Sequence, residues 1–180
     1  MTYIALIRGI NVGGRNMVAM SDLRKTIERL GFSDVKTLLQ SGNVVFSGSA
    51  RATSKVETLL EAEIAKRLKV TVDVHVRTPA EWKALIAVNP LRDEARRDPG
   101  HMLVALFKRP VSADRVEALH AAMPVREIIR ADGRQVYIFF PDGIGNSPLA
   151  GMTEKHFGAK GTARNWNTVL KLETLSLPSR

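Results

Sequence analysis

The order of strand-like and helix-like segments in the first 77 residues is the feature that most constrains this fold. The apolar run at residues 3–7 predicts a buried strand. Ser21 then predicts the start of a helix, and Leu23, Ile27 and Leu30 fall on one face of it. The chain is therefore expected to open with a strand followed by an amphipathic helix.

A hairpin is predicted next. Residues 35–39 and 44–46 have the composition of two strands. Between them lies the segment QSGN at residues 40–43, which is typical of a hairpin turn because Gly and Asn accept positive φ.

A second helix and a closing strand complete the first half. Ser54 and Glu57 have the spacing of a capping box and predict the start of a helix. Its inward residues are Val56, Leu59, Leu60, Ile64 and Leu68. Residues 70–76 predict a strand. The resulting order, β-α-β-β-α-β, is that of a ferredoxin-like module with an antiparallel sheet.

The second half partly repeats this order. Thr78 and Glu81 predict the capped start of a connecting helix, which a charged loop ending at Gly100 follows. No fourth strand is evident in this half. The predicted segments are a strand at 101–107, a helix at 112–123, strands at 125–129 and 136–140, and short helices at 149–157 and 164–175.

We therefore expect an α+β protein built from two ferredoxin-like βαββα(β) halves with mainly antiparallel sheet. The N-terminal ferredoxin-like half covers residues 1–77. A connecting helix and loop cover residues 78–100, and a C-terminal α+β half with terminal helices covers residues 101–180.

The charge and composition narrow the class of protein. The chain has no cysteine, which excludes thiol catalysis, cysteine–metal sites and disulfides. The net charge of +9 makes an acidic partner worth considering. However, residues 1–90 hold 13 basic and 8 acidic side chains and residues 91–180 hold 14 and 10, so the excess is spread evenly, as solubilising charge is. With no targeting or membrane segment evident, we expect a cytoplasmic protein that does not bind membranes.

The segment RGINVGGRN at residues 8–16 has the composition of a phosphate-binding loop. It nearly fits the pattern G-x-x-x-x-G-K-[ST], but Arg15 replaces the lysine, and Asn16 has no hydroxyl group to bind Mg²⁺. An antiparallel sheet is also the wrong setting for such a loop. An NTPase site is therefore not expected.

A more general anion site remains a good interpretation of this segment. In a β-α-β-β-α-β module, the loop after the first strand and the turn between the second and third strands lie at the same end of the sheet. Glycine exposes backbone N–H groups, and arginine binds oxyanions in a bidentate manner. The alternative is a sharp turn whose amides bond only to neighbouring backbone. The candidate ligand-binding residues are Arg8, Gly9, Asn11, Gly13, Gly14, Arg15, Gln40, Ser41 and Asn43.

A C-terminal segment has similar chemistry. Arg164, Asn165 and Asn167 are predicted around the first turn of the last helix, whose N-terminus favours anions, and Trp166 is expected in the core. These polar residues would join the site only if this helix folds over the first loop. His75 is expected on an exposed polar face of its strand rather than in a metal site. No metal, cofactor or catalytic residue is implied.

Three segments carry a resemblance to a known family. ALIRGINVGG, QSGNVVF and NWNTVLKL together resemble the DUF1697 family of bacterial proteins. The resemblance implies an α+β fold with ferredoxin-like parts and assigns no catalytic residues.

The hypothesis that follows from the residues is binding of a small anionic, phosphate-bearing ligand at the end of the sheet that carries the glycine-rich loop. Nucleic-acid binding is an alternative, although aromatic residues make up only 6% of the chain and the strands lack an aromatic-rich signature for base stacking. A module that binds a partner without any ligand is a further alternative.

Overall fold

A computed structural model describes residues 1–14, 16–122, 125–149 and 154–177 of the chain. The chain divides into two compact units. The first unit comprises Met1–Ala84 together with Lys171–Arg180, and the second unit comprises Leu85–Leu170.

The first unit has the expected ferredoxin-like architecture. Its sheet has the order β2-β3-β1-β4, and every neighbouring pair of strands is antiparallel. The α+β prediction is therefore confirmed for this half. The elements are β1 (Thr2–Arg8), α1 (Met20–Glu28), β2 (Ser33–Leu38), β3 (Asn43–Ser47), α2 (Thr53–Leu68), β4 (Asp73–Arg77) and the start of α3 (Pro79–Ala87).

The central strand β1 organises the core of this unit. Its alternate residues Tyr3, Ala5 and Ile7 are buried in one apolar cluster with the inward faces of α1 and α2. Leu23 and Ile27 supply the α1 side of this cluster, as their spacing predicts. The two helices therefore cover one face of the sheet.

The second unit repeats the arrangement. Its sheet has the order β6-β7-β5-β8, again with antiparallel neighbours. Ala105 lies opposite Val136 and Ala163, just as Ala5 lies opposite Val44 and Val76 in the first sheet. The elements are the end of α3, then α4 (Arg92–Arg97), β5 (Met102–Phe107), α5 (Ala113–Ala122), β6 (Ile128–Asp132), β7 (Gln135–Phe139), a 3₁₀ turn (Ile144–Asn146), α6 (Glu154–Phe157), β8 (Gly161–Asn165) and the start of α7 (Trp166–Ser176).

Two expectations for the second half are wrong. A fourth strand, β8, is present, and it includes Arg164 and Asn165, which were expected in a helix. Backbone pairing with β5 holds this short strand, and its side chains show no apolar alternation to reveal it. The charged loop contains helix α4, in which acidic residues occupy the first turn and basic residues the last, as the helix dipole favours.

Two predictions about where helices begin are also wrong. Neither Ser21 nor Ser54 caps a helix: α1 begins after Ala19 and α2 after Ala52, without a side-chain cap bond at either start. The capping box at α3 is confirmed, because the Thr78 N–H donates to Glu81 Oε2 (2.8 Å) and the Glu81 N–H donates to Thr78 Oγ1 (3.2 Å).

Glu57 acts on the edge of the sheet instead of capping α2. Its Oε1 accepts a hydrogen bond from the Val76 N–H at 2.9 Å, and Glu61 Oε1 accepts one from the Val74 N–H at 2.8 Å. These N–H groups lie on the side of β4 that faces away from β1, and no strand pairs with β4 on that side because it is an edge strand. The two carboxylates of α2 therefore satisfy donors that an edge strand otherwise leaves open.

The polar side chains of β4 are placed differently from expectation. His75 is fully buried and Arg77 is 2% exposed, whereas an exposed polar face was predicted. Ile4 and Leu6, which lie opposite them on β1, are also fully buried. Polar and apolar side chains alternate along β4, but residues 74–77 are all buried. The alternation therefore does not mark a face that is exposed to solvent.

Replacing Glu57 tests the importance of its bond to β4. Glu57→Ala leaves the buried Val76 N–H without this acceptor and is expected to lower the free energy of unfolding by about 1–3 kcal/mol. Glu57→Gln keeps a carbonyl acceptor and should lose less. Urea denaturation measures both, with exposed Lys55→Ala on the same helix as control. Equal stability of Glu57→Ala and Lys55→Ala would refute this role.

Candidate functional site

The two loops predicted to share one end of the first sheet are in contact. We call residues 8–14, 16 and 39–43 the loop edge; Arg15 lies outside the described residues. The Asn11 side chain joins the loops, because its Nδ2 donates to the carbonyl oxygens of Gln40 and Val18, both at 2.9 Å. Its Oδ1 accepts from the Val18 N–H at 2.7 Å. One asparagine therefore links three points of the backbone.

Hydrogen bonds also close the base of the glycine-rich loop. Asn16 Nδ2 donates to the Gly9 carbonyl oxygen at 2.8 Å, and the Asn11 N–H donates to the Asn16 carbonyl oxygen at 3.1 Å. Gly9, Gly13 and Gly14 all have positive φ, and a Cβ on any of them would meet nothing within 4 Å. Backbone conformation therefore favours glycine here, and the loop surface is open to a ligand.

Gly42 is required for a different reason. A Cβ at this position would lie 2.7 Å from the Ile7 carbonyl oxygen and 2.9 Å from Ile7 Cβ, and its φ is +71°. The Ile7 N–H also donates to the Gly42 carbonyl oxygen at 2.7 Å. The turn can therefore approach β1 this closely only with glycine.

The polar side chains of the loop edge differ in how available they are. Arg8 is partly exposed and forms an ion pair with Asp73 on β4, with 3.4 Å between Nη1 and Oδ2. Gln40 is exposed. Asn43 is fully buried and closes the turn, since its Nδ2 donates to the Leu38 carbonyl oxygen (3.0 Å) and to Ser41 Oγ (2.9 Å).

The C-terminal candidates belong to the second unit. Arg164 Nη1 donates to Thr162 Oγ1 (2.8 Å) and to the Ala163 carbonyl oxygen (2.7 Å). Burial lowers the pKa of Arg164 to about 10, so the side chain remains a cation at neutral pH. Asn165 Oδ1 accepts from the Thr168 N–H at 2.9 Å and caps α7. Asn167 lies in the first turn of α7 and is exposed.

Three apolar side chains at the loop edge were missed by sequence reasoning. Val12, Met17 and Leu39 are 64%, 72% and 60% exposed. Each is the chain neighbour of a residue in the Asn11 network. Leu39 also has a φ of +61°, a conformation that costs a leucine about 1–2 kcal/mol. In the sequence, the available signal was Val12, an apolar residue that lies among glycine and polar residues in segment 8–16.

The loop edge combines the Arg8 guanidinium group with glycines that have positive φ. Amide and guanidinium donors beside left-handed glycines suit an oxyanion. Among the described residues, no three histidine, aspartate or glutamate side chains are grouped so that they could hold a metal ion. No helix in the described ranges has both the length and the apolar character needed to cross a membrane.

Gly42→Ala tests the close approach to Ile7. Gly133 occupies the corresponding turn of the second sheet with a φ of +56°, but a Cβ there would meet nothing within 4 Å. Both substitutions incur left-handed strain of about 1–2 kcal/mol. Only Gly42→Ala adds a steric clash, so it is expected to be less stable than Gly133→Ala by a further 1–3 kcal/mol, roughly. Equal losses in chemical denaturation would contradict the contact.

Substitutions of Asn11 separate its side chain from its backbone. Asn11→Ala removes three hydrogen bonds and leaves an alanine at a φ of +53°, so we expect a loss of about 2–4 kcal/mol. Asn11→Gly loses the same bonds without the backbone strain and should be the more stable variant. Thermal and urea denaturation test this order. Wild-type stability in both variants would show that the network is unimportant.

Comparisons with known proteins agree with this fold. A family model, "Protein of unknown function (DUF1697)", matches residues 1–137. The structure of the conserved bacterial protein SP0830 from Streptococcus pneumoniae is similar, with a TM-score of 0.73 and 23% identity over 98% of each chain, a likeness that shows the fold alone. A comparison with curated proteins finds no match. Because the family model covers more than half of the sequence, the resemblance is confirmed: this chain belongs to the DUF1697 family of proteins of unknown function.

Proposed function

We propose that the loop edge binds a small anionic ligand, with a phosphate group as the recognised part. The observation that carries this proposal is the Asn11 network, which holds the glycine-rich loop against the 39–43 turn in the free protein. Binding to a preformed site is tighter, because less free energy is lost in ordering the loops.

Each candidate residue has a role in this proposal. Backbone N–H groups around Gly13 and Gly14 donate to the anion, because the glycine surface is open there. Arg8 supplies positive charge while Asp73 holds its side chain at the edge. Arg15 supplies a second guanidinium group. Gln40 and Ser41 orient the rest of the ligand.

The C-terminal residues form a conditional part of the proposal. Arg164, Asn165 and Asn167 would contribute only if their segment reaches the bound ligand. Asn165 caps α7 and Arg164 donates within β8, whereas Asn167 is exposed.

Thermal-shift measurements on the full chain test the proposal, with inorganic phosphate, pyrophosphate, AMP and citrate as probes. A probe at about 100 times its Kd adds roughly 2.7 kcal/mol to stability, which raises the Tm of a chain of this size by about 5–11 °C. Loss of one charge-assisted hydrogen bond weakens binding about tenfold and removes roughly half of this gain. We expect that reduction in Arg8→Ala and in Arg15→Ala.

Arg126→Ala is the matched control, because Arg126 forms a comparable exposed pair with Asp142, outside the loop edge, at 2.8 Å. It should keep the full ligand-induced shift. The proposal fails if none of the probes raises the Tm. It also fails if both loop-edge variants respond to the probes as the wild type does.

Binding of a protein partner is the second candidate function for the same edge. The exposed side chains of Val12, Met17 and Leu39 favour it, because exposed apolar surface marks contact sites and each of these residues adjoins the Asn11 network in sequence. Such a partner would co-purify with the wild type and be lost with Met17→Ser. The anionic probes would then leave the Tm unchanged.

A further inference from the structure

A basic cleft lies between α1 and α2, on the helical side of the first sheet. It has a volume of about 580 Å³. Thr26 and Leu68 contribute to its floor, and Asp22 is the acidic residue that lines it. Five cations line this cleft, which we call the α1–α2 cleft: Lys25, Arg29, Lys66, Arg67 and Lys69.

The positive charges of this cleft are exposed and largely unneutralised. Arg67 donates to Glu63 and forms an ion pair with it. For Lys25, Arg29, Lys66 and Lys69, the described part of the chain places no carboxylate within ion-pair distance, and all four are exposed. Four cations are therefore available to an anionic partner.

The behaviour of Glu63 indicates how closely these charges converge. The pKa of Glu63 lies below its ordinary value, first because Arg67 donates a hydrogen bond to it and then because of the positive charges of Arg67, Lys66 and Arg29. Cations from both helices therefore act on the same point. A helix C-terminus attracts basic residues, but that preference alone does not gather the cations of two helices around one cleft.

Two other clefts formed by described residues do not share this imbalance. In the first unit, a cleft of about 380 Å³ is lined by Asp34 and Lys36, which carry opposite charges. In the second unit, a cleft of about 370 Å³ is lined by two arginines and two acidic residues. The α1–α2 cleft therefore differs from these two clefts in its excess of positive charge.

We propose that the α1–α2 cleft binds the phosphodiester backbone of a double-stranded nucleic acid. A duplex presents closely spaced phosphates along a rigid rod, and side chains of two neighbouring helices can reach several of them at once. Lysine and arginine are the side chains that make such contacts. This proposal concerns a different surface from the loop edge and does not depend on a ligand there.

The lining residues favour a backbone contact over base recognition. None of the residues that line the cleft is aromatic, so bases of a single strand find no stacking platform. The cleft also offers no exposed apolar side chain for insertion into a lipid surface, since Leu68 is half-buried and packs against the core. Contact with phosphates alone predicts binding that is independent of sequence and strongly dependent on salt.

Fluorescence anisotropy with labelled duplex DNA and duplex RNA tests the proposal on the full chain. Each neutralised phosphate of duplex DNA contributes about −0.9 to the slope of log affinity against log salt, so four cations predict a slope of roughly −3 to −4. Lys25→Glu/Lys66→Glu should weaken binding at least about tenfold and reduce the slope by roughly 2. Lys25→Gln/Lys66→Gln should lie between this variant and the wild type. Duplexes of unrelated sequence should bind equally.

Lys55→Glu/Lys83→Glu is the matched control, with the same change of net charge at two exposed lysines of the first unit outside the cleft. It should keep most of the affinity, while circular dichroism shows that every variant is folded. The proposal is overturned if the wild type binds neither duplex at low salt, or if both charge-reversed variants lose affinity equally. The proposal is also overturned if the chain binds anionic vesicles or polyglutamate more tightly than either duplex, and if Lys25→Glu/Lys66→Glu weakens that binding.

Discussion

The close approach of Gly42 to Ile7 is the constraint on which the loop edge depends. The turn can lie against the end of β1 only because position 42 lacks a side chain. The Ile7–Gly42 hydrogen bond then fixes where the turn sits, and this position brings the Gln40 carbonyl oxygen within reach of Asn11. The geometry of the candidate site therefore originates in the central strand, whose residues 3–7 are all buried.

The fold could be predicted wherever a single stretch of sequence carries its own signal. The apolar run of β1, the one-sided pattern of α1 and the box formed by Thr78 and Glu81 are local, and the structure confirms each. The juxtaposition of the two loops also followed, because strand order alone determines which loops share an end of the sheet.

The failures at Glu57 and at β8 share a cause, which is that a partner distant in sequence decides the outcome. Glu57 has capping-box spacing, but its carboxylate accepts a hydrogen bond from the Val76 N–H on β4. Residues 161–165 carry no strand pattern and become β8 through pairing with β5. The exposed apolar residues of the loop edge were missed because loop composition was judged by its glycines and polar residues.

The hydrogen bonds at the base of the glycine-rich loop affect which changes of sequence the chain can accept. Asn11 and Asn16 secure the two ends of the loop to each other and to the neighbouring turn, so the sheet does not rely on the tip for its support. Val12 can then accept substitution, and the tip can accept the insertion of a foreign peptide, while the scaffold beneath stays intact. Positions 13 and 14 still favour glycine, because their φ is positive. In an evolving family, such an arrangement lets the sequence of the tip diversify without new selection on the core.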